Sequence, residues 1–495
     1  MKLRTAILFT GFAVMQAADS QHSLHQARLQ TNLTSHSPAG TPFSAIVIGS
    51  VGSNSSPLPK GTVVYGRVLR AKSVGLGLVR ERASIELEFS RCELPGGAGL
   101  PCKVHLVSVD NARERVNRPN QIQGILAASH PHSWLGGVWY RPVATRFTKV
   151  PAGLNGAAGM VQSKLAPNLL SAMVIVGSRL ALYRLPEPEI ELRPGVSFIL
   201  RIDAELSNPE LTPLADQGDL PNHPVLDTLR AQPATVTLTN RTPAADIINF
   251  AFLGSRSDVE GAFASSGWTT AEPLNAKTMA RTYGAFAAMN TYLNAPVSAL
   301  HYQGSLPDLV FQKSLNTLAM RHHIRIWREE ISGQEVWLGA ATQDVSIALD
   351  VTRMSLTHRI DPNIDAERSI IMNYLSDAGC VAAWMPVPRD EMRREERSRR
   401  QVVTDGAMFV LQLRDCKSRP ALTPVRHRLK RSFPIQALRR IILESRQYFV
   451  RSNAYYWAYR GIRWVIAPRR ASRGMNEDTD RLHNAPDGRF DPGCE

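Results

Sequence analysis

Residues 321–368 combine more ionisable side chains with apolar ones than any other stretch of this 495-residue chain. Two kinds of chemistry fit them. Imidazole and carboxylate groups can hold a divalent metal ion, which generates hydroxide from water while a nearby carboxylate acts as base. Guanidinium groups can hold a phosphate or a carboxylate in bidentate fashion. The candidate metal ligands are His323, His358, Asp361 and Asp365, the candidate catalytic carboxylates are Asp344 and Glu367, and the candidate anion-binding residues are Arg321, His323, Arg325, Arg359 and Arg368.

The first part of this stretch is predicted to form a β-hairpin. Ile324 and Ile326 alternate with polar side chains, which is the period of a half-buried strand. Ser332-Gly333 can supply the positive φ of a two-residue turn, and residues 336–344 then form the return strand.

A two-residue loop fixes the register of this hairpin. The predicted cross-strand pairs are Arg321 with Asp344, His323 with Thr342, and Arg325 with Ala340. Successive side chains alternate between the two faces of a strand, so His322 points away from His323. The adjacent histidines are therefore not expected to bind one metal ion together.

The last part of the stretch is predicted to form a helix. Asp361 is a favourable N-cap and Pro362 a favourable first helical residue. The apolar residues that follow at helical spacing are Ile364, Ile371 and Leu375. Glu367 and Arg368 fall on or near this inward stripe, where a charge must be paired or functional.

These motifs resemble the LssY C-terminal domain family over residues 235–415. The matching segments are 249–255 (Asn-Phe-Ala-Phe-Leu-Gly-Ser), 266–268 (Ser-Gly-Trp), 321–327, 337–344, 358–361, 365–368 and 403–406 (Val-Thr-Asp-Gly). The family is a bacterial domain without an assigned activity, so the resemblance implies a domain and no catalytic residues.

Other common site patterns are missing or incomplete. The chain has no Gly-x-Ser-x-Gly motif of a serine hydrolase, no His-Glu-x-x-His motif and no Cys-x-x-Cys pair. Residues 253–256 follow a predicted strand, but the remaining glycines of a dinucleotide-binding fingerprint are absent.

Two hypotheses about function follow. In the first, the LssY C-terminal-like domain binds an anionic ligand or partner of the cell envelope. In the second, the domain is a metal-dependent hydrolase that acts on a phosphate- or carboxylate-bearing substrate. The lack of a complete catalytic template favours binding, and the sequence leaves open whether the protein is an enzyme.

The net charge of +15 is concentrated near the carboxyl terminus. Residues 389–495 hold 24 Lys and Arg against 13 Asp and Glu, a difference of about +11. Arginines mix with aromatic residues over 435–464, which fits a helix on a membrane surface or a helix packed on the domain with its arginines in water. The expected partner is an anionic envelope component or a membrane surface rather than nucleic acid, although a solvated, partly disordered tail is an alternative.

The amino terminus has the pattern of a secretory signal peptide. A basic start is followed by an apolar region over residues 5–14 and by small residues at a cleavage point near Ala18. The alternative is a buried helix of a cytoplasmic protein. No later run of 18 or more apolar residues occurs, so we expect an exported protein that is periplasmic or peripheral to the envelope.

Short alternating strands with Gly and Pro turns predict an all-β module in the first half of the chain. Segments 59–62 (Pro-Lys-Gly-Thr), 83–89 and 109–114 (Val-Asp-Asn-Ala-Arg-Glu) resemble the β-domain of TrbI-like envelope and conjugation proteins over residues 57–200. Cys92 and Cys102 flank a hairpin-like loop, where a disulfide would suit an oxidising compartment. Cys380 could meet Cys416, but the sequence does not establish the pairing.

The predicted protein is therefore multidomain: an N-terminal all-β module, an α+β or α/β sandwich domain and a basic C-terminal helical tail. In the sandwich, helices are expected over 255–265, with Ser255 or Ser257 as N-cap, and over 277–293. The predicted divisions are a signal peptide (1–18), a linker (19–56), the β-rich module (57–205), a Pro-rich linker (206–234), the LssY C-terminal-like domain (235–416) and the tail (417–495).

Overall fold

The structure is a computed structural model. It describes residues 23–52, 58–76, 80–100, 102–126, 187–204, 220, 225–237, 244–287, 291–350, 355–389, 402–416 and 432–446. The predicted signal peptide, residues 1–18, lies outside this part of the chain.

The first part of the described chain is an all-β module, as predicted. Its strands are β1 (Ser23–Leu29), β2 (Leu33–Thr34), β3 (Pro42–Val51), β4 (Val63–Lys72), β5 (Arg82–Glu93), β6 (Gly99–Leu100), β7 (Cys102–Val109), β8 (Arg115–Arg118), β9 (Gln121–Leu126), β10 (Glu191–Leu192) and β11 (Ser197–Ala204). Nine of them form one sheet in the order β7-β11-β1-β3-β4-β5-β9-β8, with β6 paired to β5. The Leu106 amide of β7 donates to Asn120 Oδ1 in the β8–β9 turn at 2.8 Å, so the sheet curls towards closure.

The predicted linker over residues 19–56 contains strands β1 to β3, which corrects that part of the interpretation. Ser and Gly residues mask the alternation that forms β3, in which Phe43, Ala45 and Val47 are buried. In β1, His25 and Gln26 are polar but buried, which no hydropathy pattern indicates. The boundaries of the domains themselves stay predictions.

The second part of the described chain is a mixed domain of the predicted α+β class. Its elements are α1 (Val225–Ala231), β12 (Thr235–Thr237), β13 (Ala244–Ile247), β14 (Phe250–Leu253), α2 (Arg256–Ser265), β15 (Thr269–Thr270), α3 (Ala276–Ala287), β16 (Leu309–Lys313), β17 (Arg321–Ile331), β18 (Gln334–Asp350), β19 (Ser355–Ile360), α4 (Ile364–Asp377), β20 (Val381–Pro388) and β21 (Ala407–Leu413). Eight strands form one sheet in the order β15-β16-β17-β18-β14-β21-β20, with β19 paired to β18. Within it, β14 and β21 are parallel and the other pairs are antiparallel.

The β17–β18 hairpin has the predicted register. Its pairs include Arg321 with Asp344, His323 with Thr342, and Arg325 with Ala340. The two turn residues, Ser332 and Gly333, have φ values of 54° and 74°. The candidate site residues on β17 and β18 therefore occupy the sheet positions that the sequence predicts.

Helix α4 begins two residues later than predicted. Its N-cap is Asn363, whose side chain accepts from the Ala366 amide. Asp361 instead accepts from the Asn363 amide at 2.8 Å, so it shapes the turn before the cap. The N-cap of α2 is Ser255, one of the two predicted residues, and it forms a capping box with Asp258.

Two other predictions about local structure were wrong. Helix α3 is described over Ala276–Ala287, and residues 291–293 are not helical; the Leu293 carbonyl instead accepts the Thr269 hydroxyl of β15 at 2.6 Å. The Pro-rich segment 206–234 contains helix α1, whose Val225 and Leu229 are buried in the domain core. Prolines around it concealed this short apolar stripe.

Helix α4 joins the β-module to the second domain. One hydrophobic cluster contains Ile48 and Val51 of β3 together with Ile371 and Leu375 of α4. The Asn373 side chain of α4 donates to the Ser50 carbonyl at 2.7 Å. A Cβ on Gly49 would lie 1.9 Å from Asn373 Oδ1, so a larger residue there would displace the Asn373 side chain from this contact.

Both cysteine pairs form disulfides: Cys92 with Cys102, and Cys380 with Cys416. The second pair resolves the connectivity that the sequence left open.

The described carboxyl-terminal element is helix α5 (Phe433–Arg446), within the predicted basic tail. The rest of the tail, 417–431 and 447–495, lies outside the described residues. Among the described helices, none combines the length and apolar character needed to cross a bilayer.

Candidate functional site

The ionisable side chains of residues 321–368 separate into buried networks on both faces of the β17–β18 hairpin. One network lies around Arg321 and His323, one around His322, and one around Arg368. Each network contains its own carboxylate or hydroxyl partners, so these described side chains do not meet at one place.

The Arg321 network lies on one face of the hairpin. Arg321 Nε donates to Asp344 Oδ2 at 2.7 Å, and its Nη1 donates to Gln312 Oε1 at 2.9 Å. His323 Nε2 is 2.8 Å from the Thr342 hydroxyl, and its Nδ1 is 3.7 Å from Asp344 Oδ2. The candidate base Asp344 is thus paired with Arg321 inside the protein, with the His323 ring nearby.

Arg325 lies further along the same face and has a separate partner. Its Nη1 donates to Asp246 Oδ2 of β13 at 2.9 Å, and its Nε donates to the Ser298 carbonyl at 2.9 Å. The guanidinium is buried, so an added anion would have to displace Asp246.

The His322 network lies on the opposite face, as the alternation of side chains predicts. His322 Nδ1 is 2.6 Å from Glu367 Oε2 of α4, and its Nε2 is 3.0 Å from Asp110 Oδ1 at the end of β7. The Tyr374 hydroxyl donates to Asp110 Oδ2 at 2.9 Å. One imidazole therefore links the β-module to helix α4.

The two carboxylates keep His322 protonated. Burial opposes its charge, but Asp110 and Glu367 outweigh that effect and raise its pKa from 6.5 to about 10. Burial would raise the pKa of Asp110, yet the His322 charge and the hydrogen bonds from His322 and Tyr374 hold it below its ordinary value. Burial raises the pKa of Glu367, and the charge of His322 only partly offsets this increase.

Lys313 is the cross-strand neighbour of His322 on β16. Its amine lies 3.6 Å from the centre of the Tyr374 ring and donates to the Ser266 carbonyl at 2.7 Å. The side chain is half-buried with its amine turned inward, and burial together with the charge of Arg28 lowers its pKa from 10.5 to about 7. This lowered pKa reduces the repulsion between two like charges that Lys313 and His322 would otherwise hold side by side.

The pH dependence of the free energy of unfolding should distinguish the contributions of His322 and Lys313. Between about pH 7 and 10 the folded state holds more protons than the unfolded state on His322, so this group makes the free energy of unfolding fall as pH rises. Over the same range the folded state holds fewer protons on Lys313 than the unfolded state does. Lys313 therefore makes the free energy of unfolding rise with pH. In His322→Gln only the Lys313 contribution remains, so we expect the free energy of unfolding to rise with pH. In Lys313→Met only the His322 contribution remains, so we expect it to fall, in each case by up to about 1.4 kcal/mol per pH unit.

Urea unfolding at about pH 7.5, 8.5 and 9.5 measures these slopes. Wild-type protein should show a flatter profile than either variant, because the two contributions oppose each other. Slopes of the same sign in both variants would contradict the assignment of charge to His322 and Lys313.

The Arg368 network lies at the start of α4. Arg368 Nη2 is 2.6 Å from Asp405 Oδ2, and its Nη1 is 3.1 Å from Asp365 Oδ1. The Thr404 hydroxyl donates to Asp365 Oδ1 at 2.9 Å, and the guanidinium lies 4.2 Å from the centre of the Phe409 ring. These contacts attach α4 to the segment that leads into β21.

The candidate metal ligands are dispersed among these networks. His323 contacts Thr342, whereas Asp365 accepts from Thr404 and Asp361 from the Asn363 amide. In the described ranges, no group of three or more His, Cys, Asp or Glu side chains is arranged to hold a metal ion. The side chains of His358 and Arg359 on β19 lie outside the described part of the structure.

A turn of the β-module, residues 110–114, inserts into the second domain beside the His322 network. The Asn111 side chain donates to the Lys313 carbonyl at 2.6 Å. The Arg113 amide donates to Asn316 Oδ1 at 2.9 Å, and Asn316 Nδ2 donates to Glu114 Oε2 at 2.9 Å. The segment that carries the TrbI-like resemblance is thus part of the contact between the two folded parts.

Helix α5 docks on the β-module through a separate ionic contact. Arg439 Nη2 is 2.8 Å from Glu187 Oε1 and 3.5 Å from Glu189 Oε1. Glu189 also accepts from the Val74 amide at 3.0 Å and from the Gly75 amide at 2.9 Å. The Leu443 side chain belongs to the hydrophobic core of the module.

Sequence reasoning missed five partners in these networks: Asp110, Asp246, Lys313, Tyr374 and Asp405. Tyr374 follows Glu367 by two helical turns, so the helical spacing carried a signal. Lys313 lies on the neighbouring strand β16, whereas Asp110, Asp246 and Asp405 come from distant segments, and only the folded topology brings these four to their partners.

The fold and its buried networks define a two-part protein, in which an all-β module and an α+β domain are joined across one helix. A family model described as the LssY C-terminus matches residues 229–408, which confirms the resemblance of this segment.

Among solved structures, the chain is similar to ComB10 of the Com type IV secretion system of Helicobacter pylori, at 14% sequence identity and a TM-score of 0.17. The similarity covers 36% of this chain and 84% of that chain. At this TM-score the similarity supports no argument about fold or activity. No curated protein matches the chain at a significant level.

Proposed function

We propose that this chain is an exported cell-envelope protein in which the β-module and the LssY C-terminal-like domain carry a basic segment around helix α5 that binds an anionic component of the envelope. The observation that carries the proposal is the charge around helix α5. Residues 417–470 hold fourteen Lys and Arg against one acidic residue, Glu444. A segment with this balance attracts anionic polymers and surfaces.

The buried arginines of the LssY C-terminal-like domain are less suited to that role. Arg321, Arg325 and Arg368 each have a carboxylate partner inside the protein. An incoming anion would have to replace that partner and leave a buried carboxylate unpaired, which costs several kcal/mol. We therefore place anion binding in the basic segment, with the folded body as its carrier.

Binding of the full-length protein to immobilised polyphosphate tests the proposal. We expect retention that falls steeply between about 50 and 300 mM salt, because exposed charges are screened. Reversing three basic residues before α5, with Arg428→Glu, Lys430→Glu and Arg431→Glu together, should weaken binding at least about tenfold, since each basic residue contributes about 1 kcal/mol at an anionic surface.

The matched control reverses three exposed basic residues of the β-module, Arg70→Glu, Lys72→Glu and Lys103→Glu. It changes the net charge equally and should alter binding by less than about twofold. Equal losses in both triple variants would show a nonspecific effect of net charge, and salt-independent or absent retention would contradict the proposal.

A further inference from the structure

Helix α5 presents an apolar surface to solvent. Ile435, Leu438 and Ile441 follow one another at three-residue spacing and are 55%, 57% and 46% exposed. This spacing places them on one side of the helix. A surface helix of a globular protein normally shows the reverse, with its apolar side towards the core and its polar side towards water.

The neighbouring side of α5 is held by the protein. Arg439 is buried against Glu187 and Glu189, and Leu443 is buried in the core of the β-module. Arg439 and Leu443 thus contact the β-module, whereas Ile435, Leu438 and Ile441 stay largely exposed to solvent. This orientation makes the three residues available to an external partner.

The charge of the neighbouring sequence favours a lipid surface as that partner. Fourteen Lys and Arg against one acidic residue in 417–470 would repel a second copy of the same segment. Aromatic residues follow the helix in sequence: Tyr448, Phe449, Tyr455, Tyr456, Trp457, Tyr459 and Trp464. An apolar helix side with basic and aromatic flanks is typical of helices that lie in the plane of an anionic bilayer.

We infer that α5 binds the surface of a bilayer that contains anionic lipid, with Ile435, Leu438 and Ile441 in the interfacial region and the basic residues beside the headgroups. The inference rests on the proposed function and specifies its partner. It assigns two separable contributions: charge attracts the protein to the surface, and the apolar stripe holds the helix in it.

The test uses the full-length protein and two probes: vesicles of phosphatidylglycerol and phosphatidylcholine, and immobilised polyphosphate. The variant Ile435→Gln, Leu438→Gln, Ile441→Gln removes apolar surface and leaves the charge unchanged. We expect its partition onto the vesicles to fall at least about tenfold, since several buried carbon groups are lost. Its polyphosphate binding should stay within about twofold of wild type.

The matched control replaces three exposed apolar residues elsewhere, Leu274, Met279 and Leu306, which are 62%, 57% and 57% exposed. The variant Leu274→Gln, Met279→Gln, Leu306→Gln should bind both probes like wild type. Vesicle binding that the α5 variant does not change would overturn the inference while leaving the proposed function intact. Conversion of a wild-type dimer to a monomer by the α5 variant, measured by analytical ultracentrifugation, would assign the stripe to a second copy and also overturn it.

Failure of the proposed function has a different signature. If wild-type protein binds neither polyphosphate nor vesicles, the basic segment does not bind anions, and both proposals fall together. Equal partition onto vesicles with and without phosphatidylglycerol would likewise contradict the anionic-lipid assignment.

Discussion

Replacing His322 with glutamine is expected to lower the free energy of unfolding by about 3–5 kcal/mol. The imidazolium separates Asp110 from Glu367, and both carboxylates are buried. Glutamine keeps hydrogen-bonding groups but removes the charge, so two buried carboxylates would lack a counterion. Urea unfolding of the full-length chain near pH 7 measures the effect.

The adjacent His323 supplies the matched control. It is also buried, with its Nε2 2.8 Å from the Thr342 hydroxyl and its Nδ1 3.7 Å from the Asp344 carboxylate. His323→Gln should cost only about 1–2 kcal/mol, because Asp344 keeps its ion pair with Arg321. Equal losses in the two variants would mean that the charge of His322 does not stabilise the fold.

Replacing Arg368 with methionine is expected to cause a loss of similar size, about 3–5 kcal/mol. The guanidinium contacts both Asp365 and Asp405, and burial already raises the pKa of Asp365. Methionine fills much of the volume, so the loss would report the two carboxylates left without a cation. Thermal and urea unfolding of the variant give the measurement.

An exposed arginine with one carboxylate partner controls for the substitution itself. Arg256 is 2.8 Å from Glu260 on the surface of α2, in an i,i+4 pair. Arg256→Met should change the free energy of unfolding by less than about 0.5 kcal/mol. If Arg368→Met were equally mild, the Arg368 network would be dispensable for the fold, and its arginine would be free for another role.

The β17–β18 hairpin shows how much local sequence determines. Alternating isoleucines and the Ser332-Gly333 turn were enough to predict the register, including the pairing of Arg321 with Asp344. The same alternation predicted that His322 and His323 point to opposite faces. Short-range geometry governs a hairpin with a two-residue loop, so sequence reasoning succeeded there.

The partners of these residues depend on long-range topology. Asp110 reaches His322 across 212 positions of sequence, and Asp405 reaches Arg368 across 37. Residues 314–320 between β16 and β17 carry no simple turn motif, so the register that places Lys313 beside His322 was not predictable. Sequence reasoning therefore found the charged residues and missed the carboxylates that neutralise them.

Strands β1 to β3 were not predicted, for a different reason. Residues 19–56 are rich in Ser, Gln, Asn, Gly and Pro, and this composition resembles a linker. In the structure, Gln26 accepts from the Asn373 side chain at 3.1 Å, and Gly49 allows α4 to approach β3. Polar and small residues that serve a domain contact look the same in sequence as residues of a solvated linker.

A double-mutant cycle between Asp110 and His322 tests most directly whether the ionisable residues join the two parts of the protein. The free energies of unfolding are measured for wild type, Asp110→Asn, His322→Gln and the double variant. We predict a coupling energy of at least about 1.5 kcal/mol, because the two residues form one buried charged contact. A loss in the double variant that equals the sum of the two single losses to within about 0.5 kcal/mol would contradict this prediction. His322 would then be a candidate for binding or chemistry instead.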